Sequence, residues 1–243
     1  MRSLEMKSFR IFHTILWRGL TYFLFLVGFL IDFYGRLDSK RIKGVASIWG
    51  KLILAAGGIK LKVNGIENIP DRTVIYMSNH QSDLDWPMLV AILPGDFVFL
   101  AKKELFELPI FGSYMKLAGH VAIDRSSPLK TIRSLNRLVN VINKGQSVLI
   151  FPEGTRSTDG KLGKFNLQSF LVAQKTGVPI IPIIINGSFK ALRKGDPLIH
   201  PCEVKIKILK PFSLSPENQN DAKLFCSLAA EKTRDAILKE LEA

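Results

Sequence analysis

The segment that follows residue 60 alternates short, β-branched apolar stretches with longer stretches of helical periodicity, without repeats or low complexity. The predicted strands cover residues 60–64, 73–77, 97–101, 120–123, 147–151, 180–185 and 204–209, and the predicted helices cover residues 87–92, 105–117, 128–143, 166–175 and 222–241. Several strand stretches are apolar throughout, as expected where both faces of a sheet are covered. The alternation predicts an α/β domain over residues 61–243, with a mixed, mostly parallel central sheet flanked by helices.

The first 60 residues depart from this pattern and contain an uncharged, Phe- and Leu-rich run from Gly19 to Ile31. A perpendicular membrane span needs about 20 apolar residues, whereas a run of about 10–14 is typical of a buried, re-entrant or interfacial helix. A second stretch, Gly44–Ile59, is amphipathic. We therefore predict a two-helix membrane anchor over residues 1–60 that enters one leaflet. Two ordinary helices packed on the core, or one tilted span from Phe9 to Tyr34, are the alternatives.

Positive charge is concentrated in this amino-terminal segment. Ten basic side chains (Arg2, Lys7, Arg10, Arg18, Arg36, Lys40, Arg41, Lys43, Lys51 and Lys60) face three acidic ones (Glu5, Asp32 and Asp38), so seven of the thirteen net positive charges lie there. Each basic side chain near an anionic membrane surface contributes about 1 kcal/mol of attraction. The pattern predicts that anionic membrane lipid is a partner and that the anchor lies on the cytoplasmic face of the cell membrane.

The overall charge of +13 also indicates an acidic partner or substrate. Nucleic acid is the weakest candidate, because the sequence has no zinc-finger spacing, no RNA-binding aromatic strand and no basic helix free of apolar residues. The two cysteines, Cys202 and Cys226, lie outside any C-x-x-C pattern. They indicate neither a disulfide scaffold nor a metal site, and a reducing compartment is expected.

The candidate catalytic residues are His80 and Asp85, which follow an apolar strand and precede a predicted helix. A carboxylate that accepts from the Nδ1–H of an imidazole fixes its tautomer and leaves Nε2 free to take a proton. A five-residue offset on a continuous helix turns the two side chains about 140° apart, so the chain must bend between them. The alternative is that Asp85 or Asp83 merely caps the helix.

Two further polar clusters follow predicted strands, at Gly119–Arg125 and at Phe151–Ser157. Gly154 allows close approach of the backbone to a ligand, and Arg156 can hold phosphate oxygens in a bidentate fork. Arg125 ends the other cluster, so two arginines at strand exits predict a phosphate pocket. The alternatives are a Glu153–Arg156 ion pair that only braces the turn and a solvated Asp124–Arg125 loop.

Other chemistries fit the sequence less well. A serine hydrolase would need a G-x-S-x-G elbow, which is absent. A metal hydrolase built from His80, Asp83 and Asp85 lacks a second histidine at ligand spacing, so no metal is expected. A non-enzymatic lipid-binding protein would have no need of His80.

Four blocks in this order resemble the glycerolipid acyltransferases, and specifically the 1-acylglycerol-3-phosphate acyltransferases. They are the H-x4-D block from Asn79 to Asp85, the Ile-Asp-Arg block ending at Arg125, the Phe-Pro-Glu-Gly-Thr-Arg-Ser block from Phe151 to Ser157, and the apolar, proline-containing block from Val178 to Pro182. The blocks cover residues 79–182. Ala122 departs from the family pattern, where a bulkier aromatic is common.

The resemblance implies that His80 is the general base and Asp85 its orienting acid. It places Arg125, Glu153 and Arg156 around the glycerol phosphate, with Gly154 and Thr155 shaping the turn. Lys102 and Lys103 are further candidates for holding the substrate or a carrier phosphate.

The implied reaction moves an acyl chain from acyl-CoA or acyl carrier protein to the 2-hydroxyl of lysophosphatidic acid and gives phosphatidic acid, without a cofactor. Backbone N–H groups near the catalytic turn or the fourth block would stabilise the oxyanion. Glycerol 3-phosphate or another lysophospholipid is the alternative acceptor.

Overall fold

The computed structural model describes residues 2–35 and 39–242. The eight helices in these ranges are α1 (Arg2–Gly35), α2 (Ser39–Ala56), α3 (Asp85–Ile92), α4 (Phe111–Leu117), α5 (Pro128–Asn143), α6 (Leu171–Thr176), α7 (Ser188–Ala191) and α8 (Ala222–Leu241). The seven strands are β1 (Ile59–Asn64), β2 (Ile75–Ser78), β3 (Phe97–Lys102), β4 (Val121–Ile123), β5 (Ser147–Ile150), β6 (Ile180–Asn186) and β7 (Cys202–Ile208). All seven predicted strands are therefore confirmed.

The strands form one sheet in the order β1-β7-β6-β2-β5-β3-β4. Every neighbouring pair is parallel except β6 and β7, which are antiparallel. The predicted α/β class with a mixed, mostly parallel central sheet is confirmed. Because β2, β5 and β3 are parallel neighbours, the loops after them emerge at the same edge of the sheet.

Helices cover both faces of the sheet. On one face, Tyr76 and Leu149 pack with Trp49 of α2 and Leu89 of α3. On the other face, buried residues of β2 and β5 pack with Leu138 of α5, with Phe225 of α8 and with Phe170, which directly precedes α6. Alternate residues of each strand therefore enter different cores, which explains why β2 is buried at all four of its positions.

Two predicted helices are wrong in their continuity. The stretch 105–117 divides into a 3-10 helix, Lys103–Glu107, and α4, because Pro109 cannot continue a helix and Ile110 adopts a φ of 62°. Glycine is required at position 112, where a Cβ atom would lie 2.2 Å from the carbonyl oxygen of Phe106. The stretch 166–175 likewise begins as a 3-10 helix, Leu167–Phe170, before α6.

The amino-terminal helices correct the predicted two-helix anchor. Within the described ranges, one helix, not two, is long and apolar enough to cross a membrane, over Ser8–Ile31 of α1. The short uncharged run underestimated this segment because α1 continues past Arg10 and Arg18. In α2, Trp49, Ile53 and Leu54 belong to the core of the sheet domain. Of the charged residues counted above, Arg2, Glu5, Lys7, Asp32, Arg36, Asp38, Lys40 and Arg41 have side chains that lie outside those the structure describes.

One side of α1 is attached to the rest of the protein. Trp17 is buried and its Nε1–H donates to the carbonyl oxygen of Ile53 at 2.7 Å, while Nε2 of His13 lies 3.0 Å from the carbonyl oxygen of Ala56. The opposite side is apolar and exposed, with Phe12 and Phe23 at 60% and 62% exposure. The exposed side is a large apolar surface of the kind that contacts a membrane or another protein.

Candidate active site

The candidate catalytic turn leaves the sheet directly after β2, and Asn79 fixes its direction. The Asn79 side chain donates to the carbonyl oxygen of Ile185 at 2.8 Å and accepts from the N–H of the same residue at 2.8 Å. Asn79 is fully buried. The side-chain amide of Asn79 therefore makes the two hydrogen bonds to β6 that the next backbone peptide of β2 would make. The main chain is thereby free to turn away from the sheet at His80.

His80 and Asp85 meet across this turn. Nδ1 of His80 lies 2.8 Å from Oδ2 of Asp85, and the same oxygen accepts the N–H groups of Gln81 at 2.6 Å and Ser82 at 2.8 Å. Asp85 is the first residue of α3 and is fully buried, so the bend lies in residues 81–84, before the helix. The carboxylate thus closes the turn and orients the imidazole at once. The alternative that Asp85 merely caps α3 is wrong, because the N-cap residue is Leu84 and the N–H groups that Asp85 accepts precede the helix.

The proton on the His80 ring is placed by this contact. A carboxylate only accepts, so Nδ1 carries the hydrogen, and Nε2 is left as the basic nitrogen. No hydrogen bond to Nε2 occurs within residues 2–35 and 39–242, and the His80 side chain lines the large cavity described below. The ring also stacks on Phe151, with centroids 4.2 Å apart and planes at 19°. The imidazole is consequently held at its edge and its face.

Glu153 binds the main chain of the catalytic turn rather than an arginine. Oε1 accepts the N–H of His80 at 2.6 Å, and Oε2 accepts the N–H of Gly163 at 2.8 Å. Burial raises the pKa of Glu153, and the two backbone hydrogen bonds oppose that rise. The sequence alternative of a Glu153–Arg156 ion pair is therefore wrong. Glu153 instead joins the loop after β5 to the backbone of His80.

The two predicted phosphate-binding arginines lie on the same side of the site. Nη1 of Arg125 donates to the carbonyl oxygen of Gly154, which has a φ of +71°, and a Cβ atom at position 154 would lie 2.9 Å from that guanidinium. Nη1 of Arg156 lies 2.5 Å from Oδ2 of Asp83. Glycine at 154 is thus needed both for the left-handed backbone and for the approach of Arg125.

The structure separates the two predicted lysines. Lys102 lines the cavity, is largely exposed, and has Glu104 as a distant partner at 3.7 Å. Lys103 donates to Asp124 at 3.2 Å, beside the hydrogen bond from Ser126 N–H to the same carboxylate. The pKa of Asp124 is lowered, chiefly by its hydrogen bonds with Ser126 and then by Lys103. Lys103 therefore braces the turn before α5, while Lys102 faces the cavity.

A cavity of about 760 Å³ opens at these residues. Its polar end is formed by His80, Asp83, Arg125, Thr155, Arg156 and Lys194. The remainder is mostly apolar and follows β3 from Ala101 to Phe97 beneath α3 and α4. These five strand residues span about 16 Å. Lys43, paired with Asp96, also lines the cavity beside Phe97. The site thus combines a base, a cationic end and a long apolar channel.

Some backbone N–H groups near the turn are already occupied. The N–H groups of His80, Gln81 and Ser82 donate to the carboxylates of Glu153 and Asp85. These three donors are not available to a developing oxyanion. The backbone N–H groups predicted to stabilise the oxyanion must therefore be other amides near the turn or in the fourth block.

Sequence reasoning did not single out Phe151 as the face on which His80 stacks, and it missed Lys194 altogether. The position of Phe151 directly after β5, next to β2 in the sheet, would have suggested the stacking once the strand order was known. Lys194 lies in a short polar turn, Arg193–Asp196, that carries no motif. Only the tertiary structure brings it to Thr155.

Comparison with known proteins shows the family of this chain. The family model described as "Acyltransferase" matches residues 60–186, which include β2 to β6, all of β1 except Ile59, and every predicted site residue. The chain belongs to the acyltransferase family. The matched segment contains the whole parallel part of the sheet between β2 and β4.

Curated members of the family carry a consistent name. The chain is 36% identical over 208 residues to a 1-acyl-sn-glycerol-3-phosphate acyltransferase of Limnanthes douglasii, covering 85% of this chain and 73% of that protein. It is 35% identical over 196 residues to a chloroplastic protein of the same name from Brassica napus, covering 79% of this chain but only 55% of the relative.

A crystal structure of the 1-acyl-sn-glycerophosphate acyltransferase from Thermotoga maritima aligns with a TM-score of 0.82 at 26% identity, covering 100% of this chain and 97% of that one. The acyltransferase fold therefore extends through the helices at both ends of this chain, beyond the segment matched by the family model.

Proposed function

We propose that this acyltransferase-family protein transfers an acyl chain from an acyl thioester to the 2-hydroxyl of 1-acylglycerol 3-phosphate and so forms phosphatidic acid. The observation that carries the proposal is the position of His80. Its Nδ1–H is held by Asp85, and its ring lines a cavity whose one end is cationic and whose remainder is apolar. The names of the relatives from Limnanthes douglasii and Brassica napus support the same acceptor.

In this mechanism Nε2 of His80 removes the proton of the 2-hydroxyl as the oxygen attacks the thioester carbonyl. Asp85 stabilises the imidazolium through the existing 2.8 Å contact. The tetrahedral intermediate then expels the sulfur, the carbon–sulfur bond breaks, and the proton on Nε2 passes to the thiolate. The ester product and the free thiol are formed without a covalent acyl-enzyme.

The acceptor phosphate is proposed to bind between Arg125 and Arg156, with Thr155 and Gly154 forming the wall of that turn. Guanidinium groups bind phosphate oxygens through paired, charge-assisted hydrogen bonds. Lys102, which faces the cavity, is retained as a candidate for substrate or carrier phosphate. Lys103 and Glu153 are proposed to position neighbouring loops and not to contact the substrate. The ammonium group of Lys103 binds Asp124, and the carboxylate of Glu153 binds backbone N–H groups.

Either acyl-CoA or acyl carrier protein satisfies the chemistry at His80. The apolar part of the cavity is the proposed place for the acyl chain, since its lining removes hydrocarbon from water at about 25 cal/mol per Å² of buried surface. The donor's carrier would then remain outside, at the polar end.

Helix α1 is proposed to hold the enzyme on the cytoplasmic face of the cell membrane, whereas α2, whose Trp49, Ile53 and Leu54 pack in the core of the sheet domain, is assigned to the catalytic domain. The exposed side of α1 supports this location. Replacing both Phe12 and Phe23 with Gln removes exposed apolar surface without disturbing the side of α1 that is attached to the rest of the protein through Trp17 and His13. We expect weaker co-sedimentation with anionic vesicles, and unchanged co-sedimentation would move the attachment elsewhere.

The reaction is tested by transfer of labelled acyl groups to 1-acylglycerol 3-phosphate and to glycerol 3-phosphate, with each donor, using the wild type and His80→Ala. Loss of a general base lowers the rate by about two to four orders of magnitude. Equal activity of the His80→Ala variant would contradict the mechanism. Faster transfer to glycerol 3-phosphate would change the proposed acceptor, and acceptor binding without transfer would favour a lipid-binding protein.

A further inference from the structure

We propose that Lys194 binds the phosphate of the lipid acceptor as a third cationic ligand beside Arg125 and Arg156; this inference rests on the proposed function. Lys194 lies between α7 and β7, outside the segment 60–186 matched by the family model. Its side chain lines the polar end of the cavity, and its Nζ donates to Oγ1 of Thr155 at 3.3 Å. The ammonium group therefore contacts the turn that carries Arg156.

The main chain on either side of Lys194 is fixed to the catalytic turn and to α1. Oγ of Ser82, a buried residue of the catalytic turn, donates to the carbonyl oxygen of Leu192 at 2.8 Å. Farther along the loop, the N–H of Ile199 donates to Oγ1 of Thr14 at 3.2 Å, and Arg18 donates to the carbonyl oxygen of Pro197 at 2.8 Å. Lys194 is thus held between the general base and the helix with the exposed apolar side.

Lys194 differs from the two arginines in what it already binds. Arg125 donates to the carbonyl oxygen of Gly154, and Arg156 is paired with Asp83. Among the residues that the structure describes, no carboxylate lies within ion-pair distance of Lys194, whose hydrogen bond goes to a neutral hydroxyl. An ammonium group has three donors and no acceptor, so at least two N–H groups remain for an anionic ligand.

Phosphate oxygens are the shared chemistry of the acceptor and of a coenzyme A donor. The position of the loop favours the acceptor, because the same loop contacts α1 and an acceptor dissolved in the membrane would arrive along that helix. A lysine there acts as a compact point charge that a phosphomonoester can approach from several directions.

The test compares the wild type with Lys194→Met, using calorimetry to measure binding of 1-acylglycerol 3-phosphate in detergent micelles. We expect the Kd to rise about tenfold, which corresponds to about 1.4 kcal/mol. Affinity for the phosphate-free 1-acylglycerol should not change. In steady-state assays the acceptor KM should rise similarly while kcat and the donor KM stay within twofold, and Lys194→Arg should restore most of the affinity.

Lys190→Met is the matched control, since Lys190 is an exposed lysine of α7 that does not line the cavity. The assignment is overturned if Lys194→Met binds the phospholipid as tightly as the wild type, if both lipids weaken equally, or if only the donor KM rises. Absence of acceptor binding by the wild type overturns it as well. If the wild type binds the acceptor but transfers no acyl group, the proposed reaction fails while the binding comparison still decides the role of Lys194.

Discussion

Replacement of Glu153 with Gln separates a role in shaping the catalytic turn from a role in substrate binding. The carboxylate holds the N–H of His80 at 2.6 Å and the N–H of Gly163 at 2.8 Å. A glutamine keeps one oxygen for one of these donors and presents an NH₂ group to the other. The variant therefore loses at least one hydrogen bond to a charged acceptor, worth about 1.5–3 kcal/mol.

Part of that loss is offset, because burial raises the pKa of Glu153 and the neutral amide avoids the cost of burying the charge. We expect the free energy of unfolding to fall by about 1–2 kcal/mol in urea titrations in detergent. We also expect kcat to fall about tenfold, since a shift of the His80 backbone moves Nε2 away from its position for removing the proton of the acceptor hydroxyl. The acceptor KM should remain within about twofold, because the carboxylate oxygens face backbone N–H groups.

Glu231→Gln on the exposed surface of α8 is the matched control and should match the wild type in both assays. A large rise in acceptor KM with unchanged kcat and stability would refute the reasoning. That result would restore Glu153 to the substrate-contacting role implied by the family resemblance.

Three further perturbations probe the site. Asp85→Asn should lower kcat about 10²–10⁴-fold in acyl-transfer assays, because an amide lacks the charge that holds the Nδ1–H tautomer and disturbs the hydrogen bonds from the N–H groups of residues 81 and 82. Activity within threefold of wild type would show that Asp85 serves only to close the turn before α3. Asp83→Asn releases Arg156 from its ion pair and should lower the acceptor KM a few-fold, whereas a raised KM would mean that Asp83 positions Arg156 for binding. Burial, assisted by Lys43, lowers the pKa of His120 to about 3, below the unfolded value near 6.5. Below pH 6.5 the unfolded chain takes up a proton at His120 that the folded protein does not. The free energy of unfolding therefore falls as the pH drops from 6.5 towards 3, and the loss is about 2 kcal/mol at pH 5. Urea midpoints of wild type and His120→Gln should therefore converge on acidification, and parallel pH profiles would contradict the assigned pKa.

The strands and the pairing of His80 with Asp85 were predictable because both depend on short-range patterns. Apolar β-branched runs specify buried strands, and a five-residue spacing with a bend brings an acid to a histidine. The partners of Glu153 and Arg156 were not predictable. Glu153 meets the N–H of His80, and Arg156 meets Asp83, each across 73 residues of sequence, and which side chain reaches which group depends on how two loops leave neighbouring strands.

The prediction of one continuous helix over 105–117 failed for a local reason, and the prediction of a two-helix anchor failed because it depended on tertiary packing. The break at Pro109 and Ile110 was present in the sequence, but apolar spacing over 105–117 concealed it. The helical character of α2 was predicted, yet its amphipathicity does not say whether the apolar side meets lipid or protein. The burial of Trp49 and Ile53 in the sheet domain decided that question.

The side chain of Asn79 stands where a peptide group would stand if β2 continued. It offers one donor and one acceptor in the arrangement that Ile185 requires, so the last rung between two interior strands survives although the main chain has already departed. Neither aspartate, which lacks the donor, nor leucine, which lacks both groups, could complete that rung. The mechanical stiffness of the sheet interior is thereby extended to the residue immediately before the proposed base.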